Sequence, residues 1–535
     1  MPTRPLSLRR EWNSWAPISR LPPELLSLVF RHVRDIITRE FNSHIDAFDN
    51  PFAFERRCDV KDWMITSHVC HSWREVALNT VSLWSHLVVT RNNYKWAEEC
   101  LRRSKGSSLV LSTAEEDEND LDPHHPSTAL LKELKNHMGR CCELNLQLTT
   151  GDLIDFLSQT NTSRVIHFQY IYLPNSESPA GPRRPPPLID DSLLIADSLR
   201  RLSIACCPID WSASIFHRLT HLQLHHIPEE SKLECHTLLS FLFGMPRLET
   251  LDLCDFLRMA DSEAYRGKAD GTHLQHLKHV ELDDNPYALA GFLSSLPIRP
   301  HCKVLINVEG YPDTTVEEFL PILSWVSNHF RPPVLGSSDA SDASHNYWRS
   351  LRIFHLTSYF GFQGYTVEKN LEPHNILFEH SIRLPDIEDV GVDVDVPILP
   401  RPLFTSLPIS RIVYLEIASY HWLSVLSKPM WINIFGSIST LETICMAVRS
   451  LPFFLALLPY HQDSRSMPFP VLSSVIVQND TEADYGVILS SLRYRFQHGA
   501  ALKKLVLEEC SKMALSDLKR LQEVVGEIKL INRWN

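Results

Sequence analysis

The chain has 535 residues, enough for three or four average domains or for one long repeat array. Its formal net charge of −12 argues against a nucleic-acid surface spanning the protein, although it leaves a local basic patch open. The N-terminus MPTRPLSLRREW lacks the apolar segment of a secretory signal. The longest apolar run, 451–460, is too short to cross a bilayer. Without a signal or a membrane span, the twelve cysteines predict reduced thiols in a cytoplasmic or nuclear protein. We expect no membrane partner.

Motifs for catalysis are not found. The 17 glycines include neither GxxxxGK[ST] nor GxGxxG, so no loop is evident that could cradle a phosphate. No GxSxG, HExxH or cysteine-protease signature occurs either. We therefore expect no enzyme, no catalytic residue and no cofactor.

Residues 21–89 contain two apolar stretches at helical spacing. Pro22 and Pro23 suit the first turn of a helix, where a missing N–H is tolerated, and Glu24 lies near the positive end of the helix dipole. The apolar residues of the first predicted helix are Leu25, Leu28, Val29, Val33 and Ile36. Those of the second are Ile65, Val69, Trp73, Val76 and Ala77, with Asn79-Thr80 closing the helix and Leu83-Trp84 following it. Helices this short cannot bury such stripes alone, so they are expected to pack on each other, on the rest of the chain or on a partner.

This arrangement resembles the F-box. The matching residues are Leu21-Pro22-Pro23-Glu24-Leu25-Leu26, Val29-Phe30, Val69-Cys70, Trp73-Arg74, Ala77-Leu78 and Leu83-Trp84. The resemblance implies a small helical module that docks on the Skp-family adaptor of SCF-type (cullin-RING) ubiquitin ligases and performs no catalysis itself. By the same resemblance, the adaptor-facing surface or its immediate support comprises Leu21, Pro22, Leu25, Leu28, Val29, Phe30, Val69, Trp73 and Trp84.

The segment departs from the family pattern in three ways. An insertion-like stretch at about 38–61 separates the two halves, His71 replaces the usual Arg, and Val81 replaces the usual Pro. The alternative interpretation is an ordinary helical hairpin that only caps a repeat domain. After it, 94–111 predicts a helix ending near Lys105-Gly106 and then a strand, and the acidic run 115–122 predicts a solvated loop.

From residue 141 onwards the pattern LxxLxL recurs. Its copies begin at Leu199, Leu219, Leu248, Leu277, Leu351, Ile412, Leu441, Leu472 and Leu502, with weaker copies at Cys141 and 165–168. Within 219–277 and 412–502 the first positions lie 29 to 31 residues apart, which is a repeat period. Degenerate strands are predicted near 304–308 and 376–380, and an edge strand could form at 390–396. Helical patterns lie between strands at 237–242, 288–293 and 316–323.

A strand and a helix about every thirty residues resembles the leucine-rich repeat, which implies an α/β solenoid, here an irregular horseshoe with parallel strands on its concave face. In that pattern Cys207, Asn285 and Cys510 would satisfy backbone groups of the turns. The predicted domains are a flexible 1–17, an F-box-like 18–89, a connector 90–140 and a repeat domain 141–535.

The strand register predicts an outward row of polar side chains: His221, Gln223, His225, Asp252, His279 and Glu281. We expect this row to contact a protein substrate. A metal site on the same row, and hence a metal-dependent enzyme, is the alternative. The HxCH run at 68–71 lacks the paired spacing of a zinc site.

Together these patterns predict a substrate-recognition subunit of an SCF-type ubiquitin ligase, with a non-catalytic repeat scaffold as the alternative.

Overall fold

The computed structural model describes most of the chain in segments. The segments are 15–45, 62–89, 94–113, 133–148, 150–157, 160–172, 186–191, 197–258, 274–299, 302–308, 316–330, 348–356, 359–365, 380–385, 407–419, 428–447, 449–458 and 467–531. The chain forms two compact units, Met1–Lys232 and Leu233–Asn535. The predicted edge strand at 390–396, the acidic run at 115–122 and most of the N-terminal lead lie outside the described residues.

The first unit begins with one long helix and several short ones. They are a 3₁₀ helix Pro17–Arg20, helix α1 Pro23–Ile45, a 3₁₀ helix Asp62–His68, helix α2 His71–Asn79 and a 3₁₀ helix Val81–Trp84. The start of α1 and the end of α2 are as predicted. The continuous second helix from Ile65 was wrong, because Cys70 is fully extended and divides it into a 3₁₀ segment and α2. The insertion-like stretch is helical as far as Ile45.

Six parallel strands follow in the first unit, in the spatial order β1 to β6. They are β1 His86–Val89, β2 Leu109–Thr113, β3 Cys141–Leu148, β4 His167–Tyr172, β5 Arg201–Ala205 and β6 His221–His225. Helix α3 Tyr94–Ser104 connects β1 to β2, and helix α4 Thr150–Leu157 connects β3 to β4. The predicted helix and strand of 94–111 are therefore confirmed as α3 and β2.

The second unit alternates strands with helices over its whole length. Its helices are α5 Cys235–Phe243, α6 Pro286–Ser295, α7 Val316–His329, α8 Lys428–Phe435, α9 Leu451–Ala456, α10 Tyr485–Gln497 and α11 Leu515–Gln522. Its strands are β7 Thr250–Cys254, β8 His279–Asp284, β9 Lys303–Val308, β10 Ser350–Leu356, β11 Tyr359–Tyr365, β12 His380–Pro385, β13 Tyr414–Ser419, β14 Thr443–Ala447, β15 Ser474–Gln478, β16 Lys504–Glu508 and β17 Glu527–Ile531.

Apart from the copy at Leu351, the strands form where the apolar repeats predict them, because each of the other copies places its last two apolar residues on the buried face of a strand. In β10 it is Leu351 and Ile353, and not the predicted Phe354 and Leu356, that align with Leu415 and Ile417 of β13. In the first unit Leu202 and Ile204 pair in register with Leu222 and Leu224, and all four are buried. The same in-register burial recurs from β13 to β16 in the second unit. The fold is thus a mixed α/β architecture built on parallel sheets, in which the leucine positions make the core.

The strand order of the second unit departs from a simple repeat array. The order is β7-β8-β9-β12-β11-β10-β13-β14-β15-β16-β17, and all pairings are parallel except those of β11. The expectation of uniformly parallel strands was therefore wrong at β11, which runs antiparallel to both β10 and β12. The copy at Leu351 opens a three-stranded antiparallel meander and not an ordinary repeat.

Two glycines of β11 allow large aromatic rings to lie on its backbone. A Cβ at Gly364 would stand 2.1 Å from Cε2 of Trp348, and a Cβ at Gly361 would stand 2.3 Å from Cζ of Phe354. Both rings are buried. The meander therefore requires glycine at these two positions.

Several strands end in a residue with left-handed backbone conformation. Cys206, Asp255, Asn479 and Glu509 each have φ between 45° and 60°, directly after β5, β7, β15 and β16. Each donates its N–H to a backbone carbonyl at the end of the next strand in the chain. The distance from Asn479 N to Glu508 O, for example, is 2.9 Å. The turn that follows each strand is thus a repeated hydrogen-bonded structure.

The three predicted turn residues are accounted for differently. Asn285 caps α6, because its side-chain oxygen accepts the N–H of Ala288 at 2.9 Å. The thiol of Cys510 contacts Val477 O at 3.5 Å, and Cys207 is fully buried. None of the helices within the described segments is both long and apolar enough to span a membrane.

Candidate partner-docking surface

Helix α1 exposes the apolar stripe that the sequence singled out. Leu25, Leu28 and Val29 are 48%, 50% and 42% exposed. Residues three and four apart lie on one side of a helix, so these side chains form one patch. Leu21, in extended conformation two residues before α1, is exposed as well. Val69, before α2, is also exposed, as is Pro22. We call Leu21, Leu25, Leu28, Val29 and Val69 the apolar face.

The opposite side of α1 is buried. Leu26 and Phe30 are 3% and 0% exposed, and the ring of Phe30 lies 5.2 Å from that of Trp73 on α2. Trp73 itself is only partly exposed. Of the sequence-predicted site residues, Phe30 therefore belongs to the support of the surface, and Trp73 joins the two helices behind it.

Trp84 is also a support residue, since its indole is buried. Its Nε1–H donates to Ala77 O at 3.0 Å. Its ring lies 5.3 Å from Trp63 and 5.5 Å from Trp96, and the guanidinium of Arg103 lies 4.4 Å above it. This cluster attaches the helical module to α3, so Trp84 is not available to a partner.

A buried arginine fixes the end of the module. The guanidinium of Arg34 donates to Ser82 O and Leu83 O and pairs with Asp35, 2.6 Å from its Oδ1. Burial lowers the pKa of Arg34, and the hydrogen bond to Asp35 opposes that shift. The arginine thus ties α1 to the 3₁₀ helix 81–84 and holds the apolar face in place.

Sequence reasoning missed several parts of this arrangement. Ile36 and Ile65 are also exposed apolar residues of the helical module; both were recognised as helical apolar positions but not as site residues. Trp63, Trp96 and Arg34 carried no local signal, because their role comes from contacts between distant segments.

The predicted polar row lies on the strand faces as expected, in two separate parts. In the first unit His221, Gln223 and His225 alternate with buried leucines on β6 and are half-buried. In the second unit Asp252 lies in register with Glu281, and His279 Nε2 is 3.6 Å from Glu281 Oε2. Each part offers a polar strip on the face opposite the leucine core.

No group of three or more His, Cys, Asp or Glu side chains that could hold a metal ion occurs within the described segments. Burial raises the pKa of the Cys141 and Cys302 thiols to about 12, so both are protonated at neutral pH.

Neither protein-family models nor curated proteins match this sequence.

Proposed function

We propose that the chain is the substrate-recognition subunit of an SCF-type ubiquitin ligase. Its helical module would bind a Skp-family adaptor, and through it a cullin-RING ligase. The repeats, which we take to form a leucine-rich-repeat-like solenoid, would bind a protein substrate. The protein would act in the cytoplasm or nucleus and would itself catalyse no reaction.

The observation that carries the proposal is the exposure of the apolar face. Leu25, Leu28 and Val29 are water-exposed although they are large and adjacent, which costs free energy that a partner would recover on binding. The helices of the module are joined by the packing of Phe30 on Trp73 and by the hydrogen bonds of Trp84 and Arg34. A pre-organised apolar helix face is suited to a partner's groove, where a few anchors dominate the affinity.

The alternative, a scaffold whose helices only cap the repeats, has less support. A cap would bury its apolar residues against the chain, whereas the apolar face is open to solvent among the described residues. The alternative stays open to experiment, since it predicts no adaptor binding.

We expect Leu25→Glu/Leu28→Glu in the full-length chain to weaken binding to the Skp-family adaptor at least about thirtyfold. Each anchor side chain of an interface contributes roughly 2 kcal/mol, and a carboxylate would also have to be desolvated. The measurement is isothermal titration calorimetry with purified adaptor. Both positions are exposed on a helix, so the variant should unfold at the same urea concentration as the parent.

The matched control is Ile154→Glu, which places the same charge on another exposed apolar position of the first unit, on α4. It should bind the adaptor normally. Failure of the folded parent protein to bind any Skp-family adaptor would favour the scaffold alternative.

A further inference from the structure

Arginines gather where β4, β5 and β6 of the first unit begin. Arg164 lies in the turn before β4, and Arg218 ends a 3₁₀ helix, Ser214–Arg218, before β6. Arg200 directly precedes β5, and Arg201 is its first residue. The starts of β4 and β5 are adjacent because Ile166 O accepts the N–H groups of Arg200 and Arg201 at 2.8 and 3.0 Å. The start of β6 joins them because Arg200 O accepts the N–H groups of Thr220 and His221 at 2.8 and 3.0 Å. We call Arg164, Arg200, Arg201 and Arg218 the basic edge.

The basic edge continues onto the outward face of the sheet. His167, Arg201 and His221 are in register on three neighbouring strands, which places their Cα atoms about 4.8 Å apart. One acidic residue flanks this row: Glu143 Oε1 lies 3.4 Å from His167 Nδ1. Arg201 therefore lies between His167 and His221, and neither of these register partners is a carboxylate.

The charge of the basic edge is not neutralised. The side chains of Arg164 and Arg201 make no hydrogen bond or ion pair with the residues that the structure describes, and both residues are exposed. Arg200 donates to Leu199 O at 2.7 Å, and both Arg200 and Arg218 reach Asp197 O. Carbonyl acceptors orient a guanidinium without cancelling its charge. Four cations thus lie together on a chain whose net charge is −12.

The size of the basic edge suits a short polypeptide. It spans three strands, or about 10 Å, which matches two or three acidic side chains of an extended segment. A duplex or long single strand would need a larger cationic track to gain affinity from counterion release. The next column of the same strands holds Gln169, Ser203 and Gln223, whose side chains are of the kind that hydrogen-bond a peptide backbone.

We infer that the basic edge binds an acidic, extended segment of a partner protein. The inference rests on the proposed function in one respect, since it makes that partner the substrate. The contact itself does not involve the adaptor or the apolar face.

The test is fluorescence anisotropy with the full-length chain and a labelled peptide of about twelve residues in which Glu and Ser alternate. We expect saturable binding, and no binding of the same peptide with Gln in place of Glu. Arg164→Glu/Arg201→Glu should raise the Kd at least about tenfold, because it removes two favourable charge pairs and adds two repulsions. The adaptor affinity of this variant should be unchanged.

The matched control is Arg493→Glu/Lys519→Glu, which reverses two exposed charges on α10 and α11. It should bind the peptide like the parent. If this control weakens peptide binding equally, the effect is due to net charge and the inference is wrong. Tighter binding of a single-stranded DNA dodecamer than of the peptide would also overturn it. If the parent protein binds the peptide but does not bind a Skp-family adaptor, the proposed function is contradicted and the inference about the basic edge stands.

Discussion

Trp84 illustrates why a residue's place in a sequence pattern does not reveal its role. The pattern makes it a member of the adaptor-binding set, yet its indole is 4% exposed and hydrogen-bonded to Ala77 O. Its neighbours Trp63 and Trp96 come from separate segments of the chain. Exposure decides between surface and support, and the sequence around Trp84 does not encode it.

Trp84→Ala should lower the stability of the first unit by about 3 to 5 kcal/mol, since it leaves a cavity and an unpaired Ala77 carbonyl. Urea unfolding of the full-length chain, followed by tryptophan fluorescence, measures the loss. Ile65→Ala is the control: Ile65 is 69% exposed, so its truncation should change stability by less than about 0.5 kcal/mol. An unchanged midpoint for Trp84→Ala would show that the aromatic cluster does not support the module.

His86 makes the first unit sensitive to acid. Burial, reinforced by the positive charge of Arg34, lowers the pKa of His86 to about 4, while Asp35 and Glu143 oppose the shift. Its buried Nδ1 has no hydrogen-bond partner among the residues that the structure describes. A histidine whose folded-state pKa lies below its unfolded value of 6.5 binds fewer protons when folded.

We therefore expect the first unit to be fully stabilised above pH 6.5 and to lose stability as the pH falls towards 4. The loss attributable to His86 is at most about 3 kcal/mol, since one pKa unit corresponds to about 1.4 kcal/mol. Urea midpoints measured between pH 4.5 and 7.5 test this, with His86→Gln as the comparison. An equally steep decline in His86→Gln would assign the acid sensitivity of the chain to other groups, including His329 of the second unit, whose pKa burial also lowers to about 4.

At the scale of the element, the second predicted helix shows where pattern reading fails. Ile65, Val69 and Trp73 have helical spacing, but Cys70 adopts φ −156° and ψ 173° and interrupts the helix. The side chains of Thr66 and Ser67 bond to carbonyls three residues earlier, which favours the tighter 3₁₀ turn before the break. As a result, Val69 lies next to the interruption and is exposed, as its predicted role in partner binding requires.

Strand β11 depends on glycine. Gly364→Ala would place a methyl group within 2.1 Å of the fully buried Trp348 ring, so the ring or the strand must move. We expect a loss of at least about 2 kcal/mol, typical of overpacking in a core. Thermal unfolding compares it with Gly106→Ala, where an added Cβ meets nothing within 4 Å. Equal midpoints for the two variants would mean that the meander repacks at no cost.

At the scale of the whole molecule, much of the fold followed from one sequence property. The 29- to 31-residue period located strands β6 to β8 and β13 to β16, because a parallel α/β repeat must return leucines to the core. It could not predict β11, whose residues 359–365 carry no LxxLxL copy. Only two residues separate β10 from β11, too few for the crossover that a parallel partner requires.

The candidate surfaces were predictable to different degrees. Helical spacing identified Leu25, Leu28 and Val29 as one stripe, and the strand period identified His221 as outward-facing. The basic edge escaped notice because Arg164, Arg200 and Arg218 are far apart in sequence and meet only through strand register.

The antiparallel meander around β11 also determines the order in which the strands of the second unit can pair during translation. As the second unit leaves the ribosome, β7, β8 and β9 can pair one after another. The next strand to emerge, β10, pairs with β11 and β13 but not with β9. The free edge of β9 is covered only when β12 has been translated as far as Pro385. During the synthesis of residues 309–385 the nascent chain therefore carries an open parallel edge, the interval in which a chaperone would have most to protect.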